Sequence, residues 1–164
     1  MLLVFALAHA IVGQSIPPAL PTPPSPEALE AAAALFPREP YTSENSWGIS
    51  IAAAQVSAEA LKARDAYSRE RDFALSDRLL ELAKQDQAKI IDAAIRCVAE
   101  PWAGKLSIPD LEALKAFIAT PSGRRFWMVH MQGEPWRFCF KGPVARSLAP
   151  VLDAEVSKVV AERP

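Results

Sequence analysis

Apolar residues recur every three or four positions along most of the chain, which is the pattern of helices that bury one face. One such stripe joins Ile49, Ala52, Ala53 and Val56, and a longer pattern predicts a single helix over residues 75–99. The chain shows no alternation of strands with helices and no internal repeat. We therefore predict an all-α protein that folds as a compact helical bundle.

Residues 107–131 predict a helix-kink-helix unit within this bundle. Ser107 and Asp110 have the spacing of a capping box, in which each side chain bonds a backbone N–H of the first turn. The first helix of the unit then carries an apolar stripe, which consists of Leu111, Leu114, Phe117 and Ile118.

The kink of this unit is predicted at Thr120 and Pro121. The proline ring disfavours a helical conformation at Thr120, and the proline itself suits the first position of a new helix. Thr120 can therefore cap the second helix. Gly123 follows in its first turn, and the missing side chain would let another helix approach closely.

Residues 136–140 leave two interpretations open because aromatic and polar side chains alternate there. Alternation by itself suggests a hairpin strand that pairs with residues 126–131. We favour helices because the flanking segments are helical. A terminal helix follows, with a kink predicted at Pro150.

The first residues have the pattern of an export signal. Residues 2–12 are apolar except for His9, and the run is too short to span a bilayer as a helix. The cleavage site is left open between residues 8–10 and 13–15, and no Lys or Arg precedes the apolar run. A buried N-terminal helix is the alternative.

We predict three parts of the chain: a signal peptide over residues 1–15, a proline-rich linker over residues 16–26, and one helical domain over residues 27–164. The density of prolines favours an extended tether, and a ligand for a proline-binding domain is the alternative. Ser25 and Pro26 mark the start of the first helix of the domain. The predicted location is periplasmic or secreted, with no transmembrane anchor after cleavage.

Composition and charge narrow the class of function. The chain has 164 residues, of which 51% are hydrophobic and 23% charged, as expected for one globular domain. The formal net charge is −1, and we see no segment in which Lys and Arg cluster, which argues against nucleic acid as a partner. Motifs for phosphate, dinucleotide or metal binding are absent from the sequence, so we predict no catalytic, cofactor or metal site.

The cysteines and the aromatic residues are the remaining candidates. Cys97 and Cys139 are predicted to form a disulfide in an oxidising compartment, and two separate buried thiols are the alternative. Several large apolar residues crowd one region and form a candidate surface for an apolar ligand, a partner helix or a membrane, although we favour the interpretation that they are core. They are Phe126, Trp127, Met131, Trp136, Phe138 and Phe140.

The stretch over residues 106–126 resembles the bacterial family called domain of unknown function 2059. The resemblance rests on a capped helix, a break and a basic pair, at Ser107, Asp110, Leu111, Leu114, Phe117, Thr120, Pro121, Gly123 and Arg124. This chain has Thr120 where the family commonly has serine, and Ile118 where a second aromatic residue is common. The resemblance implies an exported, usually periplasmic, helical protein with no established activity and no defined catalytic residue.

Two hypotheses of function follow. The first is a non-enzymatic periplasmic protein that binds a protein or an apolar ligand, with another envelope protein as a candidate partner. The second is a small periplasmic enzyme with an unrecognised hydrolase-like site. The absence of familiar catalytic motifs favours the first.

Overall fold

A computed structural model describes residues 23–36, 38, 47–131 and 135–162, without the side chains of residues 128, 130, 131 and 135–137. The predicted signal peptide and most of the predicted linker lie outside these residues. Within the described part the chain forms helices and no strand, which confirms the all-α prediction. The helices are α1 Pro26–Ala33, α2 Trp47–Lys62, α3 Arg69–Gln85, α4 Gln87–Ala103, α5 Ile108–Ala119, α6 Pro121–Met131, α7 Pro135–Leu148 and α8 Leu152–Ala161.

The core lies where α2, α4 and α7 meet. α2 packs against α3 and α7, and α4 packs against α7 and α1. The predicted stripe of α2 is buried, as are Ile91, Ala94 and Ile95 on α4. Because both stripes face the same interior, the spacing of apolar residues accounts for the arrangement of these helices. Searched over the described residues, no helix has the length and apolar character needed to cross a bilayer.

A glycine allows α2 and α7 to approach closely. A Cβ atom built on Gly48 would lie 2.5 Å from the Cδ2 atom of Phe140. Phe140 is almost completely buried, and its ring occupies the space that a side chain at Gly48 would need. Gly48 is therefore a packing residue, a role that no local sequence pattern predicts because Phe140 is distant in the sequence.

The single helix predicted over residues 75–99 is wrong, because the chain breaks at Asp86 into α3 and α4. The backbone of Asp86 is not helical, with φ −106° and ψ 16°. Its carboxylate accepts hydrogen bonds from Lys89 Nζ at 2.9 Å and from Ser147 Oγ of α7 at 3.0 Å. A short polar side chain with such partners competes with helix continuation.

Helix α4 also continues further than the sequence suggested. The sequence pattern indicates a loop over residues 100–104, but α4 extends through Pro101 to Ala103. Pro101 removes one backbone donor. The last turn is held by packing instead, since Ala103 is buried and the Trp102 ring lies 5.4 Å from that of Trp127.

The helix-kink-helix unit is present as predicted and consists of α5 and α6. Ser107 Oγ accepts from the N–H of Asp110 at 3.3 Å, and the Asp110 carboxylate accepts from the N–H of Ser107 at 3.2 Å. Thr120 is extended and its Oγ1 accepts from the N–H of Gly123 at 3.0 Å. We call this unit the α5–α6 hairpin.

Two further predictions concern the last third of the chain. Residues 136–140 lie in α7, so the helical interpretation is confirmed over the strand hairpin. The terminal helix is interrupted and not merely kinked, because residues 149–151 separate α7 from α8. Pro150 lies in this interruption, where it removes a backbone donor and its ring disfavours a helical conformation at the preceding residue.

Candidate binding surfaces

Cys97 and Cys139 are joined by a disulfide that links α4 to α7. Their Cα atoms lie 5.5 Å apart, and the bonded residues are separated by 42 positions in the sequence. Cys139 is buried in the core, whereas Cys97 is exposed at its margin. The bond therefore lies at the edge of the α4–α7 contact.

The aromatic residues predicted as one candidate surface divide into two groups. Trp127 and Phe140 are buried, so the core interpretation holds for these two. Trp127 lies between two other rings, with centroids 5.4 Å from Phe36 and 5.4 Å from Trp102. Both contacts attach α6 to the body of the bundle.

The second group is exposed to solvent. Phe126 is 51% exposed and Phe138 is 74% exposed. The Phe126 ring meets the Phe117 ring edge to face, with centroids 6.1 Å apart, and Phe117 is itself 44% exposed. The side chains of Met131 and Trp136, the other two members of the predicted surface, lie outside the described residues.

The α5–α6 hairpin thus carries an exposed apolar surface on both of its helices. Phe117 lies on α5, while Phe126 and Val129 lie on α6, and Val129 is 75% exposed. We call these three residues the hairpin face. Phe117 belongs to the apolar stripe predicted for α5, but Leu111 is the stripe residue that is fully buried.

The hairpin is closed by a tight contact at its turn. A Cβ atom on Gly123 would overlap the carbonyl oxygen of Phe117 and lie 3.0 Å from Thr120 Oγ1. Gly123 allows the close approach of another helix, as predicted, and that helix is α5. The same Thr120 hydroxyl donates to the Phe117 carbonyl at 2.7 Å. These contacts hold Phe117 beside the first turns of α6.

Positive charge adjoins the hairpin face. Arg124 and Arg125 are exposed, and neither forms an ion pair among the residues that the structure describes. On α5, Lys115 lies 3.9 Å from Glu112, so these two charges offset each other. Asp110 at the start of α5 is also exposed, so the two helices of the hairpin carry an excess of one cation beside the apolar side chains.

A groove between α1 and α4 is the second candidate for a binding site, and its volume is about 470 Å³. Its apolar wall includes Leu29, Phe36 and Ile95. Arg38 and Asp92 form an exposed ion pair at 2.7 Å beside it. The size suits a small ligand.

A buried polar contact near the start of α3 is structural. Ser57 on α2 is fully buried, and its hydroxyl donates to Asp72 Oδ1 at 2.6 Å. The phenol of Tyr67 lies 3.5 Å from the other carboxylate oxygen of Asp72. Ser57 is inaccessible to a substrate. Its hydrogen bond to Asp72 connects α2 to α3. The two residues are 15 positions apart, so a local sequence pattern does not predict the bond.

The arrangement defines an all-helical bundle with an exposed apolar hairpin. Throughout the described residues, no three His, Cys, Asp or Glu side chains are grouped to hold a metal ion. Compared with models of protein families, with curated proteins and with solved structures, the chain matches none.

Proposed function

We propose that the protein is a non-enzymatic binding protein that takes an apolar group of a protein or ligand on its hairpin face. The observation that carries this proposal is the exposure of Phe117, Phe126 and Val129 together on one rigid, capped unit. Scattered exposed apolar residues are ordinary, but rings held in contact on the outside of a protein are typical of an interaction surface. The hydrolase hypothesis has no comparable support.

Export to the periplasm belongs to the same proposal. It is supported by the apolar run of residues 2–12 and by the Cys97–Cys139 disulfide, because disulfides persist in oxidising compartments. The resemblance of residues 106–126 to the domain of unknown function 2059 family also supports export to the periplasm. Thiol counting on denatured, unreduced protein from a periplasmic extract tests it. We expect no free thiol, and two per chain would contradict export with an intact bond.

A fluorescence titration tests the binding face. The uncharged probe N-phenyl-1-naphthylamine becomes fluorescent on apolar surfaces, and we expect Phe126→Ser to weaken its binding to the full chain. The loss of about 100 Å² of apolar contact predicts a decrease of about tenfold or more. The N-terminal apolar run is present in every variant, so its contribution cancels.

Phe73→Ser is the matched control, because Phe73 is 62% exposed on α3, outside the hairpin. We expect this variant to bind the probe as the unchanged protein does. Equal affinities for Phe126→Ser and Phe73→Ser would show that the hairpin face is not the binding surface. Circular dichroism of both variants confirms that each remains helical.

A further inference from the structure

The hairpin face carries one charge of each sign beside its apolar side chains. Asp110 precedes Phe117 by seven positions on α5, and Arg125 precedes Val129 by four positions on α6. Residues at these spacings lie on the same side of a helix. Both charged side chains are exposed. The face therefore combines an anion on α5 with a cation on α6.

The other three Lys, Arg, Asp or Glu residues of the hairpin lie on other sides of its helices. At about 100° per residue, Glu112 lies about 140° from Phe117 around α5, and Lys115 lies about 160° from it. On α6, Arg124 lies about 160° from Phe126 by the same geometry. An occupant of the hairpin face must therefore match one anion and one cation.

Neither of these two charges is neutralised by an ion pair within the described part of the chain. The Asp110 carboxylate accepts only a capping hydrogen bond from the N–H of Ser107, at 3.2 Å, and remains exposed. A partner with charge of one sign would attract one of the two residues and repel the other. A two-fold rotation instead brings the acidic helix of each copy to the basic helix of the other, so the face is complementary to itself.

We infer that the hairpin face binds the hairpin face of a second copy of this chain. Phe117, Phe126 and Val129 pack against the same residues of the partner, with α5 of each copy across α6 of the other. Asp110 of each copy then faces Arg125 of the partner subunit, and this contact occurs twice. The inference rests on the proposed function, since it names the occupant of the same face.

The size of the face sets the strength of this dimer. Two adjacent helices of 12 and 11 residues form a face about 17 Å long and about 20 Å wide. Such a face buries on the order of 500 Å² on each copy, which is less than the value of about 800 Å² for a stable interface. We therefore expect a weak dimer that forms at high protein concentration and dissociates on dilution.

Sedimentation-velocity ultracentrifugation of the full chain over a series of concentrations tests the inference. We expect the sedimentation coefficient to rise towards that of a dimer. Phe126→Ser should weaken dimerisation by about 100-fold, because each dimer loses two rings. Phe73→Ser, outside the hairpin, should dimerise as the unchanged protein does. Residues 2–12 are the same in all variants, so association through them would not distinguish one variant from another.

Exchange of the two charges tests the arrangement of the copies. Arg125→Glu makes both charges of the face acidic, and Asp110→Lys makes both basic. Each variant alone should dimerise about tenfold more weakly, because two attractive contacts become repulsive. An equimolar mixture of the two should recover dimerisation, since each variant then meets the opposite charge. Circular dichroism checks that each variant remains helical.

Arg124→Glu is the matched control. It makes the same change of charge one position earlier on α6, but on a side of the helix away from the hairpin face. We expect this variant to dimerise within about twofold of the unchanged protein, because an exposed charge outside an interface contributes little.

Three results would overturn the inference: a monomer at every concentration, equal dimerisation by Arg124→Glu and Arg125→Glu, or a mixture that dimerises no better than its components. If Phe126→Ser still weakened probe binding in that case, the proposed binding face would stand with a different protein or a small apolar ligand as its occupant. If Phe126→Ser also left probe binding unchanged, both the inference and the proposed function would be wrong.

Discussion

The bundle core around α2, α4 and α7 and the α5–α6 hairpin are stabilised by different interactions. In the core, apolar side chains such as Phe140 and Ile91 are fully enclosed, and a disulfide joins two of the helices. In the hairpin, helix caps and the tight turn at Gly123 fix the backbone, while Phe117 and Phe126 remain exposed. Local hydrogen bonds therefore allow the hairpin to keep its shape without burying its apolar surface.

Replacing one aromatic residue in each region should give the largest contrast. Phe140→Ala leaves a cavity in the core and should lower the free energy of unfolding by about 4 kcal/mol. Phe126→Ala removes a half-exposed ring and should cost about 1 kcal/mol or less. Urea denaturation of both variants measures this. Similar losses would mean that the hairpin is as much a part of the core as α7.

Removal of the disulfide should have the next largest effect. The double variant Cys97→Ala/Cys139→Ala should lose about 3 kcal/mol, because the open chain gains entropy when it unfolds. A reducing agent should destabilise the unchanged protein by a similar amount. The same agent should leave the melting temperature of the double variant as it was, and any further decrease would point to another cause.

Gly123→Ala should destabilise the α5–α6 hairpin and leave the bundle core stable. The added Cβ meets a backbone carbonyl that cannot rotate away, so we expect a loss of about 2 kcal/mol. Hydrogen exchange should rise in α5 and α6 and remain slow in α2. Gly104→Ala is the control, since a Cβ there would meet only the Glu100 carbonyl at 3.5 Å. Equal exchange in both variants would rule out the contact at Gly123.

The smallest expected effect is a pH-dependent change in stability at Asp86, where α3 ends and α4 begins. A hydrogen bond from Lys89, and then one from Ser147, lower the pKa of this carboxyl below its ordinary value of 3.8. Its ionised form therefore stabilises the folded state above pH 3.8, and this contribution is lost as the pH falls through the lower folded pKa. Asp86→Asn should melt earlier than the unchanged protein at neutral pH, by a margin that shrinks in acid. A constant margin would contradict the assignment.

Much of the fold could be predicted because it depends on neighbours in the sequence. The capping box at Ser107 and the kink at Thr120 are set by residues within three positions. The break at Asp86 could not be predicted in this way, because its partner Ser147 lies 61 residues further along. Periodicity likewise identified the face that holds Phe117, but not whether another helix covers that face.

The candidate surface was predicted only in part for the same reason. The sequence shows that aromatic residues crowd one region, but Trp127 is buried by Phe36, which follows α1, and by Trp102 of α4. The groove beside α1 depends on a contact between α1 and α4 and has no local signal. The small net charge of the whole chain also gave no indication that the arginines of α6 lack an ion-pair partner among the described residues.

The bond between Cys97 and Cys139 closes a covalent ring, and the α5–α6 hairpin lies within it. If the hairpin swings away from Phe36 and Trp102, the chain on either side of it stays anchored at the two sulfur atoms. Such an excursion can then occur and reverse while α4 and α7 remain joined. The ring therefore limits how far the segment that carries the hairpin can separate from α4 and α7.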